Sequence, residues 1–133
     1  MPRAPRGQAD LRSVFDDTLV GLQPLTELKS IRLQLDSVPG IVILANREHL
    51  VLLVRNLLEN AFRHCPEGTN VSVSVSHSGA GPELVIQNAI HQGDGPAGNG
   101  LGLRICREVA RANGWELTTC EEPEGYSATV RFL

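Results

Sequence analysis

Residues 46–64 can bury only one side of a helix, and this asymmetry constrains the fold more than any other feature of the sequence. Leu50, Leu53, Val54, Leu57, Leu58 and Ala61 recur at three- and four-residue steps, the spacing of an apolar helical face. Asn46 is an N-cap residue placed just before the run, and Pro66 with Gly68 ends it. Such a helix is stable only when its apolar back rests on another layer. The flanking segments have the periodicities to provide one.

Leu11, Val14, Phe15, Leu19, Leu22 and Leu25 predict a first helix over 11–28, loosened by Pro24. Ile31, Leu33 and Leu35 alternate with polar residues, and 41–45 is continuously apolar after Pro39-Gly40, so two short strands are expected. Val71, Val73 and Val75, then Leu84 and Ile86, alternate around a turn at 79–82 and read as a hairpin. Glycine-rich residues 90–99 read as a loop. A third helix is expected over 101–112, closed by Asn113-Gly114, and strands over 115–120 and 126–133. The order predicts an α+β fold, a two-layer sandwich, with no internal repeat. Residues 1–10, with two prolines and two arginines, read as a disordered lead or cloning remnant, which leaves 11–133 as one domain.

A net charge of −3 provides no basic field for nucleic acid. Cys65, Cys106 and Cys120 are too few and too scattered for a disulfide framework or a zinc site. They read as small core or surface residues in a reducing, cytoplasmic setting. No apolar run reaches the roughly 18–20 residues that span a bilayer, and aromatics, at 4%, are too sparse for stacking platforms.

Two constellations carry chemistry. Asn56 and Asn60 are one helical turn apart, about 40° from each other, with Arg63 close to the same line. An amide oxygen is a hard neutral ligand suited to Mg2+, which keeps waters and completes its shell with phosphate oxygens. The second is Gly98-Asn99-Gly100-Leu101-Gly102-Leu103, where a loop enters a helix. Glycines there let backbone approach a ligand, and a helix start offers free N–H groups to phosphate. The dinucleotide spacing and the P-loop lysine are both absent. Either motif alone has an ordinary explanation, a solvated helix face or a turn.

Together, NLLENAFRH and, about forty residues later, GNGLGLRI resemble the N box and G2 box of histidine kinase ATP-binding domains, relatives of gyrase-type and Hsp90-type ATPases of the Bergerat fold. The order of elements from about Asp10 to Leu133 also resembles theirs. The resemblance implies a mixed, mostly antiparallel sheet of about five strands covered on one face by three helices. It implies ATP and Mg2+ as cofactors, with Asn60 as the metal ligand, Asn56 its helper, Arg63 on the phosphates and His64 near the ribose. Gly98, Gly100, Leu101, Gly102 and Leu103 would place backbone against the phosphates. The implied partners are a histidine-bearing dimerisation domain of the same parent kinase, which receives the γ-phosphoryl group, and a response regulator receiver domain. The implied setting is a monomeric cytoplasmic piece of an inner-membrane sensor.

The sequence departs from the family where a DxGxG box should follow Glu83–Asn88. Alternation puts Leu84, Ile86 and Asn88 on one face, so Asn88 stands for the missing Asp and would accept from an adenine amine without charge assistance. The lid between Asn88 and the glycines is short. No histidine carries the phosphoacceptor pattern; His49, His77 and His91 read as exposed polar residues, and Trp115 as packing. Two alternatives stay open. An anti-sigma-type serine kinase would need a carboxylate base near Asn56, for which Glu59 is poorly placed; the other is a nucleotide-sensing or docking module without catalysis.

Overall fold

The computed structural model describes residues 7–37, 41–78, 81–90, 101–123 and 125–132. Among these the order is β1 (Gly7–Asp10), α1 (Leu11–Leu28), β2 (Arg32–Ser37), β3 (Val42–Ala45), α2 (Arg47–His64), β4 (Asn70–Ser78), β5 (Gly81–Ala89), α3 (Leu101–Asn113), β6 (Glu116–Glu122) and β7 (Gly125–Arg131). Five strands form one sheet in the order β2-β4-β5-β7-β6, and β1 with β3 forms a separate pair. Only β2 and β4 run parallel; the other pairings in the large sheet are antiparallel. This is the two-layer α/β sandwich expected from the sequence.

Alternation decides the layers. Val71, Val73, Val75, Leu84, Ile86, Ala128 and Val130 are buried against the helices, with Phe15, Leu53, Leu58 and Phe62 opposite them in the same core. The intervening Ser74, Ser76 and Gln87 face solvent. Trp115 packs edge-on against Phe132, ring centroids 5.0 Å apart, in the packing role expected. Two glycines are dictated by geometry. Gly81 has φ of 121°, and a Cβ there would lie 2.7 Å from the Phe132 carbonyl oxygen. Gly114, with φ of 71°, ends α3 while Trp115 N–H returns to the Ala110 carbonyl.

Several expectations need correction. Gly7–Asp10, assigned to a disordered lead, is a strand: it pairs antiparallel with β3, and Ala9 is buried. Residues 1–6 lie outside the described residues. Pro24 sits inside α1 and the helix runs through it. The lost N–H bond would have gone to the carbonyl of Val20, a residue 74% exposed to water. The two strands expected on either side of Pro39 are present, β2 in the large sheet and β3 paired with β1. His49 is half-buried rather than exposed, because it lies on the side of α2 turned to α3. Its Nδ1 is 3.2 Å from the amide nitrogen of Asn113.

Asn46 caps α2, its Oδ1 accepting from Glu48 N (2.8 Å) and His49 N (3.3 Å). Asn46→Ala is expected to cost about 1 kcal/mol, read as a lower urea midpoint at unchanged slope. An unchanged midpoint would show that the cap is dispensable.

Candidate nucleotide and metal site

α2 is the middle helix, packed on β5 below and flanked by α1 and α3. Leu50, Leu53, Val54, Leu57, Leu58, Ala61 and Phe62 form its buried back. Asn56 and Asn60, one turn apart, are half-buried on the other side. The Asn56 amide donates to the Leu52 carbonyl at 2.7 Å, which leaves its oxygen directed away from the helix backbone. The Asn60 side chain makes no hydrogen bond with the described residues. Arg63, 66% exposed, pairs with Glu59 at 2.6 Å. Arg63 is therefore held by its own helix, through a pair whose other member, Glu59, is half-buried. His64 is half-buried in the same last turn.

At the far end of β5, Asn88 is 5% exposed. Its amide nitrogen donates to the Ala89 carbonyl at 2.9 Å, and its Oδ1 is buried with no partner among the described residues. An unpaired buried acceptor costs about 1–3 kcal/mol. The Ala89 contact also fixes which end of the amide is free, so the site presents an acceptor, suited to the exocyclic amine of adenine. Tyr126 stands opposite Asn88 in the β5–β7 register, and its hydroxyl is likewise buried without a completed hydrogen bond. Burial raises the Tyr126 pKa, opposed in part by the nearby Thr119 hydroxyl.

Alternation put Asn88 on one face with Leu84 and Ile86, and all three are buried; Tyr126, the neighbour of Asn88 across β5 and β7, was not singled out from the sequence. Gly98 and Gly100 lie outside the described residues, as does the lid. Leu101, Gly102 and Leu103 form the first turn of α3, the end from which a helix presents free N–H groups to an anion. Cys65 and Cys106 are buried and Cys120 is exposed, and burial pushes the Cys106 thiol up to about 12. A concavity of about 310 Å3 at the end of the sheet is lined by Asn88 and Tyr126 together with Ser72, Gln87, Cys120 and Ser127. It is separate from the α2 amides.

No group of three or more His, Cys, Asp or Glu residues that could hold a metal occurs among the described residues. An Asn-based site fits Mg2+, which needs few protein ligands when phosphate oxygens and water complete its shell. The unpaired Asn88 acceptor fits the base of ATP.

Residues 45–133, more than half the chain, match the family described as histidine kinase-, DNA gyrase B- and HSP90-like ATPase. Sensor protein QseC of Salmonella typhi is 35% identical over 97 residues, 62% of this chain and 22% of the relative. The solved cytoplasmic segment of histidine kinase QseC superposes with a TM-score of 0.77 at 25% identity, covering 96% of this chain and 78% of that one. The catalytic domain of histidine kinase ThkA matches with a TM-score of 0.83, covering 96% and 95% of the two chains, at 16% identity, so that likeness shows the fold alone. The chain spans about a fifth to a third of the length of the curated relatives it matches, and none of its described helices is long and apolar enough to cross a membrane. It belongs to the histidine kinase-, DNA gyrase B- and HSP90-like ATPase family, and its relatives are sensor histidine kinases.

Proposed function

We propose that this chain binds Mg-ATP between α2, the end of β5 and the start of α3, and donates the γ-phosphoryl group to a histidine on a separate dimerisation domain of its parent sensor kinase. From there the group passes to an aspartate of a response regulator receiver domain. The observation that carries the reading is the buried Oδ1 of Asn88, without a partner among the described residues, an acceptor that an adenine amine would satisfy, at the end of the strand that packs under the Asn56–Asn60 helix.

In this reading Asn88 orients the base, and α3's first backbone N–H groups carry phosphate charge. Arg63 leaves Glu59 for a phosphate oxygen. Asn60, assisted by Asn56, would hold Mg2+, which when bound neutralises charge on the transferring group. Catalysis is then positioning plus electrostatics. The γ-phosphorus bond to the bridging oxygen breaks as a bond to the incoming imidazole nitrogen forms, ADP leaves, and the imidazole loses its N–H proton. The chain contributes no acceptor, so it should not phosphorylate itself. The position of Glu59 counts against a serine kinase, because it lies about 60° around α2 from Asn56 and is poorly aimed to serve as a base beside the amides.

The parent kinase's cytoplasmic position beneath an inner-membrane sensor belongs to the same proposal. Calorimetric titration of the chain with ADP and a non-hydrolysable ATP analogue, with and without Mg2+, tests the nucleotide site. Binding that strengthens with Mg2+ is expected. Because the neutral Asn88 amide forgoes the roughly twofold gain of a charged hydrogen bond, the affinity is expected to be modest. No binding at millimolar nucleotide would sink the kinase reading in favour of a docking module without catalysis.

A further inference from the structure

The C-terminal end of α2 is the electrically wrong pole for an anionic ligand, since a helix ends in unpaired carbonyls that carry partial negative charge. Arg63 and His64 nevertheless lie in that last turn. The structure supplies a countercharge from elsewhere in the chain. The Lys29 ammonium donates to the Phe62 carbonyl at 2.7 Å and to the Arg63 carbonyl at 2.9 Å, while Cys65 N–H takes the Ala61 carbonyl. The lysine itself is fixed at its backbone. Its carbonyl accepts from Gly68 N at 2.9 Å, and Arg32 N reaches the Thr69 carbonyl at 3.0 Å, so the α1–β2 turn grips the α2–β4 turn. Ser30, in the left-handed region with φ of 52°, turns the chain there.

Building on the ATP-binding reading, we infer that Lys29 is a positioning residue for Arg63: it holds the Arg63 backbone and cancels the negative pole of α2 where the nucleotide phosphates approach. Neither part of this role needs Lys29 to touch the nucleotide. Its charge also lies where cations favour a helix, beyond the last turn, so the same contacts that steady the helix end prepare it for an anion.

The test is a double-mutant cycle on Mg-ADP and Mg-ATP-analogue binding by this chain. Lys29→Met is expected to weaken binding about fivefold, with Lys29→Arg restoring it. In an Arg63→Ala background the further change to Met is expected to cost clearly less, about twofold, because the group that Lys29 positions is gone and only its effect on the helix pole remains. A merely structural lysine would give the same loss in both backgrounds; that result, or no loss in the first, overturns the inference. Should Lys29→Met unfold, the cycle is run with Lys29→Gln, which keeps a polar chain without the charge. Failure of the unmutated chain to bind nucleotide is a separate outcome, and it sinks the ATP reading together with this inference.

Discussion

Asn60→Ala is expected to leave the fold intact and to remove the Mg2+-dependent part of nucleotide binding. In the parent kinase it should lower phosphotransfer to the histidine domain by at least about 100-fold, the scale lost when a preorganised electrostatic contact to a transferring group is removed. The stability half of this expectation follows from contacts. The Asn60 side chain is half-buried and bonds to none of the described residues, so truncation leaves no orphaned partner, and the change should stay within about 0.5 kcal/mol. Urea unfolding beside a phosphotransfer assay reads both. Transfer within a few-fold of the unmutated rate would remove Asn60 from the metal site.

Phe62→Ala should do the reverse. Residue 62 lies about 200° around the helix from residue 60, and its ring is fully buried in the core. Truncating a buried phenylalanine costs about 3–5 kcal/mol, out of the roughly 5–15 kcal/mol that holds a domain of this size folded. Urea denaturation is expected to show a midpoint lowered by about a fifth or more. A shift below about 1 kcal/mol would mean that neighbouring side chains collapse into the space. The pair of substitutions separates, on one helix, residues that build the fold from those that use it.

Much of the fold was legible because periodicity reports burial. The helix expected over 11–28 is Leu11–Leu28, and the one over 101–112 ends one residue later, at Asn113. Alternation in β4 and β5 was strong enough to place Asn88 on the inward face, and the structure buries it there. Pairing was another matter. β1 contributes one buried side chain, Ala9, and four residues with one apolar contact leave no period to detect. Its partner residues lie 32 to 38 positions away in sequence, from Asp10 opposite Val42 to Gly7 opposite Ala45, and alternation records which face a residue takes, never which strand sits beside it. His49 and Lys29 were opaque for the same reason, since their partners, Asn113 and the α2 carbonyls, are reached only after the chain has folded back. The site was legible where a residue type announces its chemistry, as with the amides. It was hidden where an ordinary lysine acquires a role from its neighbours.

The β2–β4 pair has a consequence for how the molecule assembles. β4–β5 and β6–β7 are joined by short connections and can zip as local hairpins, events on the order of microseconds. β2 must instead lie parallel to β4, Leu33 opposite Val71, with β3 and all of α2 looped out between them. That loop has to be closed before any ladder bond or buried leucine compensates the lost chain freedom. Capture of β2 is therefore expected to follow formation of the hairpin that it joins, whereas β6, at the opposite edge, is paired through a local connection.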